Sequence, residues 1–183
     1  LNHSKGRTAY SVLGSVAGNE ADREDSESVS NDLGFRFKAF DDQLLASIVV
    51  FESARTNLEY ANPLYEAGVS APNVVESFFD GEEQTKGVEI DLNAYLNDQW
   101  KVNINGVYQD ARDKTNPNSS SFDTRQKGVP YVTASSWVTY SAALFELPHA
   151  VDLSAGLTFV DKRSTNSSSF GIDNGYVPAY TVY

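Results

Sequence analysis

The chain has 183 residues, 40% of them hydrophobic and 12% aromatic, and a formal net charge of −11 from 25 acids and 14 bases. It has no Cys and only two His, His3 and His149, which leaves no disulfide scaffold, thiol nucleophile, Cys-ligated metal, His-containing triad or multi-His site. The acidic balance opposes nucleic-acid binding, the apolar content is too high for a disordered acidic tail, and no run reaches the ~18 apolar residues of a transmembrane helix.

In chain order, a first strand is expected over Thr8–Ala17, with polar and apolar residues on both faces. A polar stretch over 18–30 follows, and residues 19–30 hold five acids and one Arg. Leu33, Phe35, Phe37 and Ala39 then alternate with Asp32, Gly34, Arg36 and Lys38, the period-2 mark of a strand with one apolar face. Phe40-Asp41-Asp42-Gln43 is a tight turn into a less regular strand, Leu44–Arg55. Residues 57–85 form a long polar stretch with six acids and no base. Val88, Ile90, Leu92, Ala94 and Leu96 alternate with Glu89, Asp91, Asn93 and Tyr95. The turn Asn97-Asp98-Gln99 leads into Trp100, Val102, Ile104, Gly106 and Tyr108, which alternate with Lys101, Asn103, Asn105 and Val107. After polar residues 110–128 come a mixed strand over Pro130–Leu144, a short link Phe145–His149, and the alternating Val151, Leu153, Ala155, Leu157 and Phe159. Residues 161–176 are polar, and a last strand runs from Pro178 to Tyr183. Helical spacing is nowhere sustained.

The connections alternate long and short along the chain. In an up-and-down antiparallel sheet, alternate connections share an end, so the long loops gather on one side and the tight turns on the other. Outer-membrane barrels show that asymmetry. Trp100, Phe40 and Phe145 fall at the short-turn end, with Tyr108 and Phe159 near the long loops, as interfacial aromatic girdles require. The expected fold is therefore all-β: seven or eight strands of an antiparallel, up-and-down transmembrane β-barrel, forming one unit over 1–183.

The strands also carry family motifs. Lys86-Gly87-Val88-Glu89-Ile90-Asp91, a turn, and Trp100–Tyr108 ending in Tyr108-Gln109-Asp110-Ala111 resemble a hairpin of TonB-dependent receptors. Leu33–Lys38 and the strand closing in Arg55-Thr56-Asn57 resemble the preceding hairpin, with Asp32 or Asn31 in place of the usual acid before Gly34. Gly128-Val129-Pro130 with Ala134–Tyr140 is similar to a later strand, and Val177–Val182 to a Pro-Gly-Tyr element, with Ala179 where Gly is usual. The resemblance covers about 29–183 in the family's order and is closest to the siderophore-receptor branch.

That resemblance implies part of a barrel of about 22 strands, lacking its plug and final strands. It implies a receptor importing a ferric siderophore or similar large scarce solute across a Gram-negative outer membrane. The implied partners are that solute, the TonB complex through the plug region, and outer-membrane lipid and lipopolysaccharide. No nucleic acid, cofactor or catalytic residue is expected. The chain has no Met, which reads as an excised or processed piece. A soluble or surface-attached β-sandwich, such as an adhesin or carbohydrate-binding protein, is the alternative.

No chemistry emerges from the polar residues. Glu20, Asp22, Glu24, Asp25 and Glu27 lack calcium-loop spacing and read as a solvated loop. Glu89 and Asp91 share a face two residues apart, which fits a paired acid/base site or ordinary carboxylates of a wet lumen. Ser11, Ser15, Asn116–Ser121 and Asn166–Ser169 have no base in view. Arg36 and Lys38 either meet an anion or balance Glu89 and Asp91 on neighbouring strands. Tyr60, Tyr65, Phe78, Phe79 and Tyr176 are loop aromatics, for ligand contact or for packing among themselves. The acids of 19–30 and 57–85 are expected to gather at the outer surface and repel anionic ligands. Thr8–Ala17 and Pro178–Tyr183 are expected to be the sheet's two edges.

Overall fold

A computed structural model describes residues 1–8, 25–62, 64, 77–115, 122–143, 150–165 and 175–183. The described strands are β1 (Asn2–Thr8), β2 (Ser26–Ala39), β3 (Leu44–Ala61), β4 (Ser77–Tyr95), β5 (Trp100–Asp113) and β6 (Thr124–Arg125). They continue with β7 (Val132–Ala143), β8 (Ala150–Val160), β9 (Arg163–Ser164), β10 (Tyr176–Val177) and β11 (Tyr180–Val182). The main sheet runs β1-β2-β3-β4-β5-β7-β8-β11, with every neighbouring pair antiparallel. The short β6 pairs with the end of β5, and β9 with β10 makes a separate ribbon. Strand order follows chain order, so this is the up-and-down sheet that the connection lengths foretold.

Register turns the alternation into two surfaces. Directly opposite residues in an antiparallel pair share a face, and one line crosses six strands as Phe35, Ile48, Ile90, Gly106, Ala134 and Phe159. The line beside it reads Arg36, Ser47, Asp91, Asn105, Ser135 and Thr158, on the opposite face. One face is apolar and the other largely polar.

Two short turns close one end. Phe40, Asp41 and Asp42 all take left-handed φ, 54°, 52° and 66°, and Gln43 N donates to Phe40 O at 3.0 Å. Asp tolerates that region better than most residues. In the other turn Asn97 Oδ1 accepts from both Gln99 N and Trp100 N at 2.9 Å, an Asx-type cap on the chain reversal.

The strands differ from the expected segments mainly at the opposite end. β3 and β4 are 18 and 19 residues long, so much of 57–85 is paired strand rather than loop. Their tips narrow through register shifts between Arg55 and Leu58 and between Leu58 and Tyr60, and Asn57 sits there at φ 58°. β2 likewise takes in residues 26–30 of the expected polar stretch. Among the described residues the sheet's edges are Asn2–Thr8 and Tyr180–Val182; the second lies within the expected edge Pro178–Tyr183, and of the expected Thr8–Ala17 only Thr8 is described. Beyond the apolar band both faces of a strand meet water, so pairing continues while the alternating signal disappears. Residues 9–17, 20–24, 116–121, 145–149 and 166–169, with Tyr65, carry other sequence expectations and lie outside the described residues.

Candidate functional site

The apolar face forms a band of fixed height. On β5 it runs from Trp100 to Tyr108, about 26 Å along the strand at ~3.3 Å per residue and roughly 20 Å when tilted by ~40°. A barrel's lipid-facing band is about 25 Å tall between aromatic girdles. Trp100 packs on Tyr140 at the short-turn edge, with ring centroids 4.7 Å apart. Tyr108 stacks on Tyr131 at the other edge, 6.1 Å apart and 10° from parallel. No second layer covers this face among the described residues: Phe35, Ile90 and Ile104 are 63%, 49% and 44% exposed.

Charge begins one line above the band. Asn31, Glu52, Lys86 and Asp110 form that line, where Lys86 pairs with Glu52 at 3.1 Å and Arg112 with Asp110 at 2.8 Å. Such a charged border suits a boundary between an apolar layer and water.

The polar face is stitched by short side-chain bonds. Ser135 Oγ donates to Asn105 Oδ1 at 2.9 Å, Ser141 Oγ to Asp152 Oδ1 at 2.6 Å, and Asn103 Nδ2 to Asn93 Oδ1. The expected charge balance of Arg36 and Lys38 with Glu89 or Asp91 does not form. Lys38 pairs with Asp42 of its own turn at 3.2 Å. Arg36 and Asp91 share a line but β3 stands between them, about 9.6 Å at two strand spacings, and Ser47 Oγ reaches Asp91 at 3.5 Å instead. Glu89 lies opposite Val49 and Val107. Among the described residues Glu89 and Asp91 line an open wall, and no cation pairs with either.

This face also carries an apolar minority that the alternation did not announce. Val49, Val107, Val160 and Tyr180 share the line of Glu89. Phe51 lies opposite Gly87 and Trp137 opposite Gly156. The rings fill the space the glycines leave: a Cβ on Gly87 would sit 2.4 Å from Phe51 Cζ, and one on Gly156 would sit 2.4 Å from Trp137 Cδ2. These pairs require the register to be seen, because each glycine and its ring are far apart in sequence.

At the outer end, neighbouring strands supply bases to two of the acids that looked unopposed in sequence, Glu27 and Glu83. Over residues 1–8, 25–31, 52–62, 77–86, 110–115, 122–131 and 161–165, eleven acids meet ten bases. Glu27 takes Lys5 at 2.9 Å and Arg7 at 2.6 Å, and Arg55 reaches Glu83 at 3.6 Å. The hydrogen bond from Lys5, aided by Arg7 against some desolvation, holds the Glu27 carboxyl below the usual carboxylate range. The expected repulsion of anions rests in part on Glu20, Asp22, Glu24, Glu66 and Glu76, which lie outside the described residues. Tyr60 and Phe78, expected in a loop, are paired across β3 and β4 and pack on each other with centroids 5.4 Å apart.

Burial, reinforced by the hydrogen bond to Asp80 and its charge, raises the Tyr60 phenol above the ordinary tyrosine value. A raised pKa favours the neutral phenol, so its contribution to stability is present below the ordinary value and fades as pH climbs through the folded one. The ultraviolet difference titration of wild type against Tyr60→Phe should show a midpoint above about 10. In Asp80→Asn the midpoint should fall. A Tyr60 step at or below the ordinary value would contradict the buried pairing.

One apolar face of membrane height, a polar opposite face, tight turns at one end and long strands projecting at the other define a segment of a transmembrane β-barrel wall. Residues 15–183 match the family model described as TonB dependent receptor-like, beta-barrel. The chain belongs to that family. Among solved structures it is similar to the ferripyoverdine receptor of the outer membrane of Pseudomonas aeruginosa, at 16% identity and a TM-score of 0.73, covering 98% of this chain and 23% of that one. The ferric preacinetobactin receptor from Acinetobacter baumannii gives 15% identity and a TM-score of 0.72, covering 98% and 25%. The ferric yersiniabactin uptake receptor from Yersinia pestis gives 14% and 0.64, covering 98% and 25%. The chain thus spans about a quarter of the length of these receptors.

Proposed function

We propose that this chain is part of the wall of a non-enzymatic receptor in a Gram-negative outer membrane, importing a ferric siderophore or similar scarce solute in a TonB-dependent manner. The observation that carries the reading is the apolar band, continuous across six strands and bounded by aromatic and charged lines. A β-sandwich would bury that face under a second sheet, and the exposed Phe35, Ile90 and Ile104 argue against one. Family membership and the siderophore receptors of like fold support the substrate class.

In this reading the apolar face meets lipid, with lipopolysaccharide outside, and the polar face looks into the lumen. Phe51, Trp137, Val107 and Tyr180 on the inner wall favour a lumen filled by packed protein, since bare apolar side chains gain nothing from facing water. A plug segment of the full-length receptor would fill it and carry the contact with TonB. The test is uptake of iron-55 from a panel of ferric siderophores by cells with and without the gene, in strains with and without TonB. Loss of uptake of one chelate on removing either gene supports the reading. Unchanged uptake of every chelate on deleting the receptor overturns it.

A further inference from the structure

Register sorts charge across the wall above the apolar band. Three lines of one face carry Lys5, Arg7, Lys86, Arg112 and Arg125 against Glu27, Glu52 and Asp110. The three lines between them, on the opposite face, carry Arg55 against Asp32, Glu83 and Asp113. The basic lines share the face of the band, because Lys86 and Val88, like Asp110 and Tyr108, stand two apart on one strand.

The bases on this face exceed the acids within reach. Lys5 and Arg7 share the single carboxylate of Glu27. Arg125 has no carboxylate partner among the described residues and lies on rings instead. Its Cζ is 3.4 Å from the centroid of Tyr131, which stacks in turn on Tyr108 at the edge of the band. Its Nη2 donates to Val129 O at 2.8 Å, which fixes the guanidinium in place. Arg112 stands opposite Arg125 on the neighbouring strand.

Beside this column the same face holds a recess of about 570 Å³, floored by Leu33, Val50, Val88 and Tyr108 and bordered by Lys86 and Asp110. It lies at the level where the apolar band gives way to charge. A lipid with an anionic head fits both parts, its chain on the floor and its head against the bases. Guanidinium groups bind phosphate oxygens through paired N–H donors, and basic groups at a membrane border attract anionic headgroups. A guanidinium stacked on a ring keeps its charge for such a contact.

We infer that Arg125, Arg112 and Lys86, with the recess beside them, form a binding site for one phosphorylated lipid of the outer leaflet. The inference rests on the outer-membrane part of the proposed function and is independent of the imported solute.

The test measures Kd of the purified full-length receptor, in neutral detergent, for diphosphoryl lipid A and for the same lipid stripped of its phosphates. Inorganic phosphate serves as competitor. Wild type is compared with Lys86→Gln/Arg125→Gln, with Arg125→Lys, and with Arg55→Gln on the opposite face, each first shown to be folded by heat-modifiability on gels. Wild type should prefer the phosphorylated lipid, more strongly at low salt, since screening weakens attraction between charges. The double variant should lose about tenfold in affinity for it, as removal of two bases near a membrane surface entails, with ferric chelate binding unchanged. Arg125→Lys should keep most of the affinity and Arg55→Gln nearly all. Equal binding of the two lipids, or a double variant within twofold of wild type, overturns the site while the receptor reading stands. Competition by inorganic phosphate at the lipid's own concentration assigns the bases to a free anion and also overturns it. So does a double variant that loses chelate binding but keeps its lipid. A wild-type receptor that stays soluble without detergent defeats the membrane reading, and this inference with it.

Discussion

Ile104→Arg should block assembly of the barrel, while Asn105→Arg one residue away should be tolerated. Ile104 lies at the middle of the apolar band, between Leu92 and Ser136 in register, and is 44% exposed on a face that no other described residues cover. An Arg at the lipid midplane costs about 2–4 kcal/mol, a large share of a stability that is typically about 5–15 kcal/mol. Asn105 points the other way, into the polar line, and its Oδ1 accepts from Ser135 Oγ at 2.9 Å. Replacing it removes one hydrogen bond worth about 0.5–1.5 kcal/mol and places a cation where water or polar groups can meet it. Heat-modifiability on gels reads the outcome directly: the folded band should vanish for Ile104→Arg and persist for Asn105→Arg. Equal behaviour of the two would mean the faces are assigned wrongly.

The second large effect concerns glycines that rings lie across. In Gly87→Ala the new Cβ would meet Phe51 Cζ at 2.4 Å and Tyr108 O at 2.5 Å. A ring can rotate away, but the backbone oxygen belongs to the neighbouring strand and moves only if the sheet does. Gly156→Ala faces the same pair of obstacles, Trp137 Cδ2 at 2.4 Å and Ser136 O at 2.6 Å. Overpacking of this kind costs about 1–3 kcal/mol, and each variant should lower the temperature at which the compact form unfolds on gels. Gly106→Ala is the control, because its Cβ would find Ala134 Cβ and Thr133 O at an ordinary 3.7 Å. A control as damaging as the other two would show that any side chain disturbs the sheet, and the ring-over-glycine account would fall.

What the sequence disclosed follows the membrane band closely. Between Val88 and Tyr108 each strand must be apolar on one side, so the alternation, the turn at Asn97–Gln99 and the face of every residue were legible. Outside the band that demand ends. Asn2–Thr8 pairs fully with β2 yet carries no alternating signal, and residues 57–61 of β3 and 77–85 of β4 were read as loop for the same reason. The candidate site was hidden by distance along the chain. Lys5 and Arg7 reach Glu27 from a neighbouring strand, so charge counted segment by segment missed the bases that answer it.

The central claim is that the apolar face meets lipid and the opposite face does not. The chain has no Cys of its own, so in a full-length receptor with any other Cys replaced, single cysteines placed in turn from Lys101 to Gln109 report one position at a time. Each would be labelled with a fluorophore and exposed to a quencher confined to the acyl region of proteoliposomes holding the full-length receptor. Strong quenching should alternate, high at Val102, Ile104 and Gly106 and low at Lys101, Asn103, Asn105 and Val107, fading towards Tyr108 at the edge of the band. Uniform quenching, or protection of Val102, Ile104 and Gly106 as well, would contradict a lipid-facing wall and favour a face covered by protein.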